Sequence, residues 1–155
     1  MSEHTHQTKH QTERQYWMGV LARATPSSVA SLLDSLGTAP AYEVIKRPET
    51  GTLMLEGRAG GAGRRFNTGE ATMTRCVVRL VDGTMGFSYA LGRDRKKAEH
   101  AALLDAVLQM ESAHRQTLLA QIDRLAQLQQ TERDLVSRKA AATKVNFFTL
   151  VRGDG

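Results

Sequence analysis

The pair Asp82-Gly83, flanked on both sides by alternating apolar and polar residues, is the feature that most restricts how this chain folds. An Asp-Gly pair in this setting is a strong signal for a two-residue hairpin turn of type I′. It predicts that a strand over residues 70–81 pairs antiparallel with a strand over residues 84–91. Two shorter strands precede them, over residues 42–47 and 52–58, and a turn over residues 48–51 separates the two. The pattern therefore predicts an antiparallel meander of about four strands.

The predicted hairpin has two different faces, because successive side chains of a strand point to opposite sides. One face of its first strand carries Cys76, Val78 and Leu80. We expect these side chains to form a core surface with alternate residues of the second strand, namely Met85, Phe87, Tyr89 and Leu91. The opposite face of the second strand carries the small residues Gly86, Ser88 and Ala90. Their size predicts that another element packs closely there.

Helical periodicity of apolar residues precedes and follows the strands. Residues 12–23 form one predicted helix, and the segment 26–28 ends it and caps a second helix that ends at Gly37. A long helical stretch over residues 94–142 begins with Asp94 as N-cap and is interrupted near residues 111–116, where polar residues replace the apolar stripe. The predicted fold is α+β, with a disordered tail over residues 1–11 and a single domain over residues 12–155.

The C-terminal segment is unusually apolar for a chain end, because it contains Phe147, Phe148 and Leu150. Burial of each such side chain is worth about 1.5–3 kcal/mol, so exposure to water is costly. These residues predict a strand or arm that is buried, at the end of a C-terminal region that begins near residue 112. Two alternatives stay open: the arm docks on another protein, for example as an added edge strand, or it caps the sheet of this chain.

Charge and cysteine content narrow the class of protein. The net charge of +5 favours an anionic partner, although the basic residues are spread over several segments. Cys76 is the only cysteine, which excludes an internal disulfide and a cysteine-ligated cluster held by this chain alone. No apolar run approaches the ~20 residues of a membrane helix, and the polar, His-rich start does not resemble a signal peptide. We therefore expect a cytoplasmic protein without membrane contact.

A loop rich in glycine and arginine joins two of the predicted strands. It contains Gly60 and Gly61 and is bordered by Arg58, Arg64 and Arg65. It is not a Walker A loop, which requires lysine and serine or threonine after its last glycine, and it lacks the last glycine of the dinucleotide fingerprint. Two interpretations remain. Either the loop backbone approaches an anion or a partner protein closely, or the loop is a mobile hairpin connection.

Arg93 lies just before a predicted helix N-terminus, where free amide groups and the helix dipole favour anions. Arg95, Lys96 and Lys97 add further cations to the first turn, which favours a phosphate or an acidic partner surface. The alternative is a solvated basic helix start. No residues form a recognisable nucleophile–base pair or a metal-ligand spacing, so the sequence predicts no catalytic, cofactor-binding or metal-binding residue.

Several segments together carry a family resemblance: RPETG at residues 47–51, GRAGGAGRRFNTGEATMTRC at 57–76, GRDRKKAEHAA at 92–102 and the terminal FFTLVRG. The chain resembles the PhnG family, the small (G) subunits of the bacterial carbon–phosphorus lyase core complex. The resemblance runs from about residue 14 to about residue 108 and recurs at the tail. It implies a role in phosphonate catabolism under phosphate starvation.

The resemblance implies that this chain is a non-catalytic partner of the I, H and J type subunits in an obligate hetero-oligomer that binds no nucleic acid. The complex transfers methylphosphonate to the ribose C1 of ATP and releases adenine. It is expected to use ATP, and an iron–sulfur cluster with S-adenosylmethionine in another subunit. The resemblance also favours docking of the glycine loop and the tail on a partner subunit. The residues alone leave open a free-standing module that binds nucleotide or nucleic acid through the same basic residues.

Overall fold

Four helices and three strands make up the part of the chain that the computed structural model describes, residues 2–58 and 65–153, with side chains for residues 9–54 and 69–142. In chain order they are α1 (Ser2–Arg23), α2 (Pro26–Asp34), β1 (Tyr42–Arg58), β2 (Arg65–Leu80), β3 (Met85–Leu91), α3 (Arg95–Leu108) and α4 (Ala113–Gly153). This order confirms the predicted α+β class. The chain separates into two compact units, Met1–Ile122 and Asp123–Gly155, where the sequence predicts one domain from residue 12 onward.

Local caps explain where the central helices begin and end. The Thr25 hydroxyl accepts the backbone N–H of Ser28 at 3.2 Å, and a proline occupies the first turn of α2. The Asp94 carboxylate accepts the backbone N–H of Lys97 at 2.9 Å, which confirms the predicted N-cap of α3. Helix α3 ends at Leu108 and α4 begins at Ala113. The break predicted near residues 111–116 is therefore confirmed.

Both terminal segments differ from their predictions. The predicted disordered tail, residues 1–11, is helical from Ser2 onward as part of α1. For the terminal segment the sequence predicts a strand or an arm; the strand is wrong, because the backbone of α4 stays helical to Gly153, and the arm stays a prediction. Neither helix contains a proline, and a helix that has nucleated gains one backbone hydrogen bond for each added residue. None of the described helices is long and apolar enough to cross a membrane.

The described strands form one antiparallel sheet in the order β1-β2-β3, so the meander is confirmed with three strands rather than about four. The turn predicted over residues 48–51 is wrong, because β1 continues through Pro48. Shifts in the pairing register between Val44 and Lys46 and between Lys46 and Glu49 absorb the proline. Strand β1 is an edge strand, where a proline does not remove a hydrogen bond of the ladder.

The hairpin at Asp82-Gly83 forms, but its turn is not type I′, since that type requires positive φ at both central residues and only Gly83 (φ 93°) has it. The N–H of Gly83 instead donates to the carbonyl of Leu80 at 3.0 Å, and the N–H of Leu80 donates to Thr84 at 2.9 Å. The Asp82 carboxylate accepts the N–H of Thr84 at 2.9 Å. This is the three-residue hairpin loop, with glycine at its last position.

The predicted core face of the sheet is right for β2 and wrong for β3. Cys76, Val78 and Leu80 are buried as expected. Residues opposite one another in an antiparallel pair share a face, and Cys76 lies opposite Ser88 while Val78 lies opposite Gly86. The small residues of β3 therefore face the core. Its large residues lie on the other face, with Phe87, Tyr89 and Leu91 between 36% and 48% exposed.

Helix α3 covers this core face, which confirms that an element packs closely against the small residues of β3. Ten of its fourteen residues are buried, and many of them are alanine. A Cβ atom added at Gly86 would collide with the backbone carbonyl of Ala102 and lie 2.8 Å from the Cβ of Ala106. The absence of a side chain at Gly86 thus sets how closely α3 approaches the sheet.

Candidate functional site

The glycine loop lies between the ends of the two longest strands. Arg58 and Arg65 are the last backbone pair between β1 and β2 before the loop, so the loop joins two paired antiparallel strands. Gly60, Gly61 and Arg64 lie outside the described residues, as do the side chains of Arg58 and Arg65. Whether this loop contacts an anion or a partner stays a prediction.

The strands that carry the loop continue beyond β3 as a two-stranded ribbon, which we define as residues 52–58 and 65–72. The last β3 pair joins Leu91 to Met73, while β1 and β2 remain paired to the loop. Two adjacent residues of the ribbon, Leu53 and Met54, are 47% and 57% exposed. Adjacent residues of a strand point to opposite faces, so the ribbon presents apolar side chains on both of its faces.

The outer face of the sheet is the side opposite α3. It carries the exposed aromatic residues Phe87 and Tyr89 and the aliphatic residue Leu91. Tyr89 also lines an open depression of about 440 Å³ with Glu49, Arg75 and Leu53. Large apolar side chains that are grouped on one exposed face are typical of a surface that contacts another protein.

Ion pairs within the chain neutralise most of the charges on the outer face among the side chains that the structure describes. Arg79 lies 2.7 Å from Glu43, and Glu49 lies 3.6 Å from Arg75 and 3.4 Å from Lys46. Exposed pairs of this kind contribute only about 0–1 kcal/mol each to stability. These ion pairs also affect binding. Because the charges are already paired within the chain, a partner surface that contacts this face does not need to supply opposite charges.

The predicted anion site at the start of α3 is partly occupied by the chain itself. The Asp94 carboxylate accepts a hydrogen bond from the backbone N–H of Lys97, one of the first-turn amides that have no partner within the helix. Lys97 is buried rather than solvated, and its ammonium group donates to the carbonyls of Ala22 at 3.0 Å and Leu91 at 3.1 Å. Burial lowers the pKa of Lys97 below its usual value, and nearby Asp94 opposes that shift. Arg93 is exposed beside this cap.

The predicted terminal arm lies in the second compact unit. Phe147, Phe148 and Leu150 belong to the helical backbone of α4, and their side chains are outside the described residues. Whether they dock on a partner stays a prediction.

A buried carboxylate, Asp105 of α3, is the centre of a polar network that the sequence did not predict. Its side chain is fully buried and accepts two hydrogen bonds from Arg14, at 3.2 and 2.8 Å. It also accepts the indole N–H of Trp17 at 2.8 Å and the backbone N–H of Phe87 at 2.9 Å. Its hydrogen bonds to Arg14 raise the pKa of that guanidinium. The network joins α1, β3 and α3, so its role is structural.

Side chains of α3 and of Gln109, the residue that follows it, also occupy the edge of β3 that does not pair with β2. Asp105 accepts the N–H of Phe87, Gln109 donates to the carbonyl of Met85 at 2.7 Å, and Lys97 donates to the carbonyl of Leu91 at 3.1 Å. Backbone groups of an edge strand would otherwise be free to pair with another chain. At these three positions the edge of β3 is closed.

The described side chains hold no group of three or more residues suited to bind a metal ion. Cys76 is buried, its thiol donates to the carbonyl of Lys46 at 3.4 Å, and burial raises its pKa to about 11. A thiol with such a pKa is a poor nucleophile at neutral pH. A sheet face that carries large apolar side chains and stays exposed in the single chain is typical of a protein that works as a subunit of an assembly.

Comparison with known proteins identifies the family. The family model for the phosphonate metabolism protein PhnG matches residues 12–153. The chain is 39% identical over 142 residues to the alpha-D-ribose 1-methylphosphonate 5-triphosphate synthase subunit PhnG of Rhizobium meliloti (strain 1021). That match covers 92% of this chain and 90% of the relative. The chain belongs to the PhnG family of phosphonate metabolism proteins, which confirms the resemblance described above.

Proposed function

We propose that this chain is a non-catalytic subunit of an alpha-D-ribose 1-methylphosphonate 5-triphosphate synthase. In this proposal the complex transfers methylphosphonate to the ribose C1 of ATP, releases adenine and serves phosphonate catabolism in the cytoplasm under phosphate starvation. The observation that carries the proposal is the similarity, over nearly the full length of both chains, to a relative that is named as a subunit of this synthase. The partners are the I, H and J type subunits.

The contribution of this chain is an assembly surface. The outer face of the sheet supports this role, because Phe87, Tyr89 and Leu91 are exposed while the neighbouring charges are paired within the chain. Burial of such side chains against a partner is favourable by about 25 cal/mol for each Å² of apolar surface removed from water. ATP, the iron–sulfur cluster and S-adenosylmethionine are assigned to the other subunits. The glycine loop and the terminal residues of α4 are further candidates for contacts with those subunits.

Co-expression with affinity-tagged I, H and J type subunits from the same organism tests the proposal. We expect this chain to co-purify with them in a fixed ratio, and we expect its deletion to abolish growth on methylphosphonate as the only phosphorus source. The double variant Gly60→Val, Gly61→Val examines the loop in the same assay, since added side chains obstruct close approach of a partner backbone. A monomeric chain that binds nucleotide and leaves the other subunits fully assembled without it would contradict the proposal.

A further inference from the structure

The two edges of the sheet differ in a way that points to a binding site for an added strand. On the β3 edge, Asp105, Gln109 and Lys97 hold backbone groups of the strand. On the opposite edge, β1 has β2 as its one strand neighbour within the described part of the chain. An unprotected edge strand is a template on which an extended segment of another chain can pair. A further strand can therefore pair with the sheet at the β1 edge rather than at the β3 edge.

Strand β1 itself has a protected half and an unprotected half. In residues 42–49 the edge is interrupted by Pro48, by two shifts of register and by the charged residues Lys46 and Arg47, all of which hinder pairing with another strand. Residues 50–55, with the sequence TGTLML, pair with β2 without any shift and carry no charge and no proline. Six regular, uncharged residues at an open edge are the length and composition that an added strand requires.

Both sides of this six-residue segment are also exposed. Leu53 lies on the outer face and Met54 on the face where α3 lies, yet each remains about half exposed because β3 ends at the Leu91–Met73 pair. A two-stranded ribbon is at best marginally stable in water, whereas a third strand adds backbone hydrogen bonds and covers apolar surface. The occupant is therefore an extended segment rather than a side chain that fills a pocket.

A second copy of this chain fits the edge poorly. Two copies of residues 50–55 pair fully with each other in an antiparallel arrangement only when residue 50 lies opposite residue 55. In that register Glu49 of each copy, which adjoins the paired segment, comes up against Glu56 of the other copy. Like charges that are directly opposite one another destabilise a strand pair. The charge pattern thus favours a different chain, one with no charge along the six paired residues.

We propose that residues 50–55 of β1 bind an extended, uncharged and apolar strand of another subunit, which becomes the fourth strand of the sheet. This inference rests on the proposed function, because the occupant comes from the same complex. The added strand pairs through backbone hydrogen bonds, and its apolar side chains cover Leu53 on one face and Met54 on the other.

Amide hydrogen exchange of the full chain, free and in the co-purified complex with the I, H and J type subunits, tests the proposal directly. We expect amides within residues 50–55 to exchange at least tenfold more slowly in the complex. The variant Leu53→Lys introduces a charge of the kind that blocks edges, and we expect it to weaken assembly at least tenfold. The matched control is Val81→Lys at the hairpin turn. Val81 is an apolar residue that is 88% exposed, and we expect its replacement by lysine to leave assembly unchanged.

The possible outcomes separate the two proposals. If the complex forms but exchange of residues 50–55 is unchanged, the added strand is refuted and the proposed function stands. If the wild-type chain does not enter the complex, both proposals are overturned. Protection of the same amides in the free chain, together with a dimer in sedimentation, would identify a second copy as the occupant and overturn the inference. An unchanged melting temperature of Leu53→Lys shows that its weaker assembly is not a folding defect.

Discussion

Replacement of Asp105 by asparagine measures how strongly the buried network attaches α1 to the rest of the fold. Asparagine keeps the shape of the side chain, but it removes the negative charge and turns one acceptor atom into a donor that faces other donors. Removal of one partner of a buried pair costs about 3–5 kcal/mol. The Arg14 side chain is 32% exposed and gains solvation when it loses its partner. We therefore expect a loss at the lower end of that range, about 3 kcal/mol.

Urea unfolding of the purified full chain provides the assay. Trp17 is the only tryptophan and donates directly to Asp105, so its fluorescence reports the network while circular dichroism reports the helices. The matched control is Asp34→Asn at the exposed end of α2, which should change the free energy of unfolding by no more than about 0.5 kcal/mol. If Asp105→Asn costs no more than this control, then the network does not stabilise the fold as we reason.

Three further predictions concern packing, reactivity and binding. Gly86→Ala should destabilise the chain by about 1–3 kcal/mol in thermal unfolding, because the added methyl group collides with α3. The same change at Gly19, a helical position with open space around it, should stabilise by about 0.5–1 kcal/mol, and equal effects would refute the packing argument. The Cys76 thiol, with its pKa raised to about 11, should react with a thiol reagent at pH 8 only after unfolding; rapid reaction of the folded chain would contradict its burial. Arg93→Ala should weaken assembly by about 1.5–3 kcal/mol if this residue binds an anion or acidic partner, and an unchanged dissociation constant would exclude that role.

Local signals in the sequence predict the elements of this fold well. The N-cap at Asp94, the break before α4 and the hairpin at Asp82-Gly83 each depend on residues near one another in the chain, and each is present. The prediction of a turn at Pro48 fails for a physical reason. A proline interrupts a central strand but is tolerated at an edge, and the position of a strand within a sheet depends on distant residues.

The faces and the buried network require tertiary information. Hydrophobicity predicts that Phe87 and Tyr89 lie in the core. The space beneath α3 is narrow, however, and it admits only the small residues of the same strand, Gly86, Ser88 and Ala90. Asp105 looks like one more polar residue of a helix in the sequence. Its partners Arg14 and Trp17 lie 91 and 88 residues earlier, so no local pattern reveals the cluster. The glycine loop and the terminal aromatic residues remain predictions from sequence alone.

The sequence separation within the Asp105 network also has a consequence for synthesis of the chain. The ribosome makes Arg14 and Trp17 long before it makes Asp105, and at ~5–20 residues per second the 91 residues between Arg14 and Asp105 take about 5–18 s. During this interval the Arg14 guanidinium and the Trp17 indole lack the buried carboxylate that accepts their hydrogen bonds in the folded chain. The strands of the sheet appear in the same interval, with their core face still uncovered by α3. The first helix therefore cannot complete its native contacts until α3 has been synthesised, and until then the core face of the sheet stays open to contact with other chains.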